Sequence, residues 1–316
     1  MKNINLRWVI AHEPAYLFYR VAEDFKRLVN QYKDIVNVDV EILTNSEYNE
    51  KYQPQEAVTR HNLWKLLQDG SVQITQMQTT SLARQFNREM HVLDLPYLFD
   101  THEQAQQTLE GEVGQHLLNN FDESSKLKGL AYTYSGGFRL MPFTGSVTTL
   151  AEVAGSAVRS GMSDIAQDTI RALGFAPVPT EIDEVSSAIK ADRAIGAEHV
   201  AQRLFPDQCE DWINTIIDTE HSLFLTSIVV NVDWWNNLDQ QVQDIFMKCA
   251  LEAARNEREL SIKDGHDSVS KLEAAGVKVI RLSKEKKYEL RKKVQPVYEK
   301  YGSNYFGTDL VHKIKK

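Results

Sequence analysis

Gly155-Ser156-Ala157-Val158-Arg159-Ser160-Gly161 is a short β-like run that sets an arginine near a glycine, and an amphipathic helix starts just beyond it at Ser163-Asp164. Strand followed by helix is the repeating unit of an α/β architecture. A second arginine stands 20 positions earlier, in Tyr134-Ser135-Gly136-Gly137-Phe138-Arg139, where the apolar strand 127–134 runs out into glycines. A guanidinium is always charged, never accepts a hydrogen bond, and offers a rigid fork matched to a carboxylate. One hydrogen bond to a charged group contributes roughly 1.5–3 kcal/mol, against the roughly 8 kcal/mol that a micromolar site requires. Two strand-end arginines therefore suit a planar anion, although on spacing alone surface or salt-bridging arginines are the commoner case.

Toward the amino terminus the same alternation continues. Residues 6–10 read as a strand, Phe18, Ala22, Phe25 and Val29 recur at helical spacing after Pro14, and Val36, Val38, Val40 and Ile42 alternate strictly. This is a β-α-β opening. A helix is expected over 54–67, stopped by Gly70, then a strand over 71–77. That strand leaves Gln78-Thr79-Thr80-Ser81 at its carboxyl end, where ligands of open α/β sheets bind, or simply as a polar loop. The apolar run 92–99 precedes a helix over 101–119, with Ala105, Leu109, Val113 and Leu117 on one stripe and Thr101 and Gln104 as a capping box.

Toward the carboxyl terminus, Gly174 stops the helix begun at Ser163, and 177–179 is a short extended connection. A helix over 181–190, a strand-to-loop element at 194–199, buried strand in 221–232, a long helix over about 238–264, a strand over 276–282 and helices over 283–301 and 308–315 complete the chain. Such alternation predicts a largely parallel sheet with right-handed crossovers. No Gly/Ser linker or repeat separates the halves, so two lobes require the chain to cross between them more than once.

Composition limits the classes of function. The chain has 316 residues, enough for two domains, with 42% hydrophobic and 25% charged residues, the profile of a soluble globular protein. A formal net charge of −8 argues against binding a nucleic-acid backbone. No stretch approaches the eighteen or so apolar residues of a membrane helix. Cys209 and Cys249 lie 40 positions apart without CxxC spacing. They are expected as unpaired buried thiols, one disulfide being the alternative. Met1 to Arg7 contains no apolar signal core, which fits either a cytosolic chain or a mature form whose export signal has been removed.

The search for catalytic motifs is nearly empty. GxSxG, GxxxxGK[ST], HExxH and a strand-bounded GxGxxG are all missing from the sequence. Glu198-His199 and Glu220-His221 are acid–imidazole dipeptides, but neighbours on a strand face opposite sides and do not readily share a metal. No metal site and no cofactor is expected. His12-Glu13 follows the first strand, where Glu13 either meets a ligand's hydroxyl or ammonium group or caps the helix after Pro14. Trp234-Trp235 serve as core anchors or as an apolar ligand wall.

Leu93-Asp94-Leu95-Pro96-Tyr97-Leu98-Phe99, then Gly111-Glu112-Val113-Gly114, Lys128-Gly129-Leu130-Ala131-Tyr132 and Gly137-Phe138-Arg139 resemble, in that order, the signature of the DctP-type solute receptors of TRAP transporters. Val158-Arg159, Ala172-Leu173-Gly174, Pro177-Val178-Pro179, Glu184 to Ile189, Val230-Asn231 and Pro296-Val297-Tyr298 extend the similarity along nearly the whole chain. The resemblance implies an α/β two-lobed periplasmic binding protein, with hinge strands and a long helix spanning both lobes. It places residues 1–136 and 225–264 in one discontinuous lobe and 137–224 and 265–316 in the other. It also implies a monomer in the periplasm, whose partners are a small organic acid and the membrane permease subunits of a TRAP transporter, with no enzymatic activity.

Carried over position by position, Arg159 falls on the family's carboxylate-gripping arginine, Arg139 on a second arginine near it, and Glu13 near a first-lobe contact. Gln78, Thr79 and Trp234 or Trp235 complete the expected ligand set. His199 stands where the family has Asn within Gly-Gln-Glu-Asn-Pro, and Gly161 and Ser156-Ala157 also depart from the pattern. Imidazole is bulkier than carboxamide and titrates near pH 6.5, which puts a typical C4-dicarboxylate or sialic acid ligand in doubt. Two other functions stay open on the sequence: an enzyme on a two-lobed scaffold, with His199 as base oriented by Glu198 or Glu220, and a sensor that reports its ligand without moving it.

Overall fold

The computed structural model describes residues 2–12, 14–302, 306 and 308–315. Its chain divides into two compact units: residues 1–87, 109–134 and 225–259 form the first, and 88–108, 135–224 and 260–316 the second. Among the described residues there are eleven strands: β1 (Lys2–Ile10), β2 (Val36–Thr44), β3 (Ile74–Gln78), β4 (Leu127–Phe143), β5 (Ala157–Ser160), β6 (Ala176–Pro179), β7 (Gly196–Ala197), β8 (His199–Val200), β9 (Thr215–Asp218), β10 (Leu223–Asn231) and β11 (Lys278–Arg281).

In the first unit the strand order is β2-β1-β3-β10-β4. β1 pairs in parallel with β2 from Lys2↔Val36 to Ile10↔Thr44, and with β3 through Trp8↔Ile74. The helix Ala15–Val29 buries Leu17, Phe18, Val21, Ala22, Phe25, Leu28 and Val29, which meet the inward residues of β1 and β2. Phe25 sits between Trp8 at 5.6 Å and Phe246 at 5.7 Å. Complete burial of such a side chain contributes roughly 1.5–3 kcal/mol. Phe246 comes from the helix Gln240–Ala274, whose Val242, Ile245, Cys249, Ala250, Ala253 and Ala254 complete this core.

In the second unit β5 lies in parallel between β6 and β7. The far half of β4 pairs antiparallel with β7, β8 and β9, and β9 pairs in parallel with β11. Leu140, Val185, Ile189, Leu204, Ile213, Ile216 and Leu272 form its core. Residues 88–108, expected in the first lobe, cluster here. Tyr97 N–H donates to the His221 carbonyl (2.7 Å) and the Tyr298 hydroxyl to the Pro96 carbonyl (2.7 Å).

Several expected elements are redrawn. The helix expected over 54–67 is replaced by Asn45–Tyr52 and Leu63–Gln68. The first starts at a Thr44/Glu47 capping box and ends at left-handed Gln53 (φ 45°), directly before Pro54. The helix expected over 101–119 is interrupted at Gly111, whose backbone is extended, giving His102–Glu110 and Glu112–Asn119. Thr101 caps the former by accepting from Gln104 N–H, while the Gln104 side chain accepts from Asp100 N–H. The long helix runs ten residues past its expected end, to Ala274. Strand β4 does not stop at Tyr134 but continues through Gly136 (φ 123°) and Gly137 (φ 76°) to Phe143. A Cβ on Gly136 would stand 2.5 Å from the Val200 side chain, so the strand takes this path only because the residue is glycine. Cys209 and Cys249 are free, buried thiols, and among the described residues no helix is long and apolar enough to cross a membrane.

Candidate functional site

Arg159 lies on β5, with Val178 of β6 on one side and Ala197 of β7 on the other. It is 2% exposed. Its Nε donates to the Thr180 carbonyl (3.1 Å) and hydroxyl (3.3 Å), Nη2 donates to the same carbonyl, and Nη1 donates to the Glu198 carbonyl (3.1 Å). Burial pushes the guanidinium down to about 10, against the opposing pull of Glu198. It stays charged at neutral pH.

The carboxylate of Glu198, 1% exposed, gathers the neighbouring groups. Oε1 accepts the Gly161 N–H and lies 3.9 Å from Arg139 Nη1, while Oε2 is 3.1 Å from His221 Nε2. His221 is fully buried and its Nδ1 faces the Thr219 hydroxyl at 2.7 Å. Burial alone would raise the Glu198 pKa. The charges of Arg139, His221 and Arg159, with the hydrogen bond to His221, overcome it and hold the carboxyl well below the usual range. Arg139, now inside β4 rather than at a strand end, stacks over the Phe224 ring at 4.4 Å. Its buried Nη1 has no hydrogen-bond acceptor among the described residues. Two guanidinium groups thus act on the Glu198 carboxylate in a desolvated setting, with Glu181 a further anion felt by Arg159.

His199 does not join them. Glu198 and His199 point to opposite sides of the chain, as adjacent extended residues must. Fully enclosed, His199 accepts the Val200 N–H at Nδ1 (2.8 Å) and sets Nε2 3.2 Å from Asp207 Oδ2, a carboxylate that Arg203 also holds. Burial lowers its pKa. His199, expected in the ligand set, thus faces Val200 and Asp207 rather than the arginines. The geometry also removes the imagined acid–base pair, since Glu198 turns to His221 and Glu220 to Lys287.

In the first unit, Gln78 ends β3 and Thr79 opens the helix Thr79–Gln85. The Thr79 hydroxyl donates to the Leu225 carbonyl at 3.1 Å. His12 lies at the same end of the sheet, buried, with its ring 5.2 Å from that of Phe18; Glu13 lies outside the described residues. The two tryptophans do not belong with them. β10 runs antiparallel to β3 with Thr226↔Gln78 and Val230↔Ile74, so the residues after Asn231 sit at the opposite end of β3 from Gln78. Trp234 stacks on Phe246 at 6.0 Å and Trp235 is 4% exposed, both against the first unit's core. Asn231 secures that end by accepting the Trp234 N–H (2.6 Å) and donating to the Leu67 carbonyl. Trp234 and Trp235, expected as core anchors or as a ligand wall, pack here as core anchors.

Sequence reasoning missed Thr180 and the joining of Glu198 to His221. The two acid–imidazole dipeptides were the available signal, but each residue partners across the fold rather than along the chain. Among the described residues no group of three or more His, Cys, Asp or Glu side chains is arranged to hold a metal.

The model of bacterial extracellular solute-binding protein family 7, DctP, matches residues 11–304. The chain belongs to the DctP family. One relative is the 2,3-diketo-L-gulonate-binding periplasmic protein YiaO of Escherichia coli, 26% identical over 191 residues; the match covers 60% of this chain and 58% of that protein. Among solved structures, a TRAP periplasmic solute-binding protein from Ochrobactrum anthropi with its C-terminus bound in the ligand-binding pocket superposes with a TM-score of 0.86, at 21% identity, over 99% of this chain and 94% of the other. A second, from Pseudomonas putida F1 with bound D-glucuronate, gives 0.78 at 22% identity, over 98% and 96%. Both likenesses are of fold.

Proposed function

We propose that this chain is an exported DctP-family receptor that captures a small organic acid through Arg159 and Arg139, and hands it to a TRAP membrane permease. The two largely buried guanidinium groups gathered at Glu198, one with no hydrogen-bond acceptor for its Nη1 among the described residues, carry the reading. A guanidinium has five N–H groups, and Arg159 directs one from each of its three nitrogens to Thr180 and Glu198. Two remain for a ligand carboxylate, and Arg139 Nη1 supplies a further donor. Main-chain carbonyls and the Glu198 charge hold Arg159 in place before ligand arrives, so little side-chain entropy is lost on binding. Gln78, Thr79 and Glu13 are further proposed ligand contacts.

Binding that favours one arrangement of the two units over another would present the loaded form to the permease. The uronate and keto-sugar-acid ligands named for the relatives make sugar acids the first compounds to try. Calorimetry against mono- and dicarboxylates tests the proposal. Wild type is expected to bind one acid saturably, and Arg159→Lys to bind it at least ten-fold more weakly, because the charge stays while the fork is lost. Equal affinities would remove Arg159 from the role.

A further inference from the structure

The second unit contains a cavity of about 420 Å³ that the arginine cluster does not use. Phe138 and Leu140 of β4 line it, whereas Arg139 between them turns to Glu198 and Phe224. Side chains alternate along a strand, so the cavity lies on the opposite face of β4 from the arginines. Its volume is within the range of small-molecule sites, and its walls are mixed, with Phe138, Leu140, Ile216 and Val269 beside several charged and polar side chains.

The charges around it are unevenly satisfied. Arg281 spends both terminal nitrogens on Glu273 (3.0 and 2.9 Å), and Glu220 holds Lys287. His102, with its ring 4.7 Å from that of Phe138, has its pKa lowered by burial and is uncharged at neutral pH. Asp218, on β9, also lines the cavity; no hydrogen bond holds its carboxylate among the described residues, Glu220 opposes its charge, and Lys287, Arg281 and His266 attract it from around the cavity. A partly buried carboxylate that no hydrogen bond holds, beside an aromatic face, suits an organic cation, through charge at one end and apolar contact along its body.

We propose that this cavity is a second binding site, for a small organic ammonium whose cation meets Asp218 and whose apolar body lies against Phe138. It is independent of carboxylate capture, and each site can be titrated without the other. The test is calorimetry of the full chain with 2-phenylethylammonium, using 2-phenylethanol and phenylacetate as neutral and anionic controls. The ammonium should bind saturably, at least ten-fold more tightly than either control, and Asp218→Asn should weaken it at least ten-fold. Ser270→Trp, made at an exposed helical position on the cavity's lining, should block binding while the melting temperature stays at the wild-type value. No saturable ammonium binding, equal binding of the alcohol, or unchanged ammonium affinity in Asp218→Asn would overturn the proposal. Should Asp218→Asn not fold, undiminished binding to Ser270→Trp would overturn it alone.

Discussion

Glu198 is the residue on which the cationic cluster depends. Removing one partner of a buried charge network costs about 3–5 kcal/mol because the rest is left uncompensated. Glu198→Gln should therefore lower unfolding free energy by about that amount in urea titrations. Its carboxyl pKa is depressed in the fold, so the stabilisation is complete above the unfolded value of about 4.3 and is lost as pH falls toward the folded one. Acid titration below about pH 4.3 should show a slope in wild type that Glu198→Gln lacks. His199 is also depressed, so its share is complete above about pH 6.5 and declines below it. Burial pushes Cys209 and Cys249 up to about 12; an aromatic disulfide reagent at pH 8 should label neither in the native protein and both in guanidinium. At this scale the sequence made the arginines legible, since a guanidinium near a strand end is conspicuous. It hid the partners, because Thr180, Glu198 and His221 are brought to the arginines by pairing between strands distant in the chain.

Strand β4 is the element that most departs from its sequence reading. Two adjacent glycines look like a strand end, yet the strand continues through their positive φ values and pairs on with Val200 and His199. Gly136→Ala should lose about 1–3 kcal/mol from backbone strain, with more from the approach to Val200, measurable by urea unfolding. The helix Gln240–Ala274 was read short for a related reason: Gly265 and the polar residues about it weaken the apolar stripe, while tertiary packing of Leu272 keeps the last turns helical. The opening β-α-β was plain because Val36, Val38 and Val40 bury one face of a strand that is exposed on the other. The tryptophans were misplaced because composition says that a ring is large and apolar, not which end of a sheet it occupies.

For the whole molecule, the family resemblance was readable from ordered short motifs, and the family match over 11–304 agrees with it. Unit boundaries were less readable, since 88–108 joins the second unit through contacts with residues more than a hundred positions away. Ligand binding to the native form alone raises stability by about 2.7 kcal/mol at one hundred times the dissociation constant. A melting temperature that climbs with the concentration of one acid, and fails to climb in Arg159→Lys, is the expected outcome. A flat response to every acid in the panel would count against capture.

The first unit takes its last strand and its core helix from residues 225–259, and the second takes its first piece from residues 88–108. A ribosome delivering this chain from its amino end therefore cannot complete either hydrophobic centre until residue 259 has emerged. Nascent polypeptide short of that length stays loose and open to chaperones, and a fragment ending at residue 224 should show no cooperative melting. An interleaved layout of this kind keeps a protein threadable for most of its synthesis.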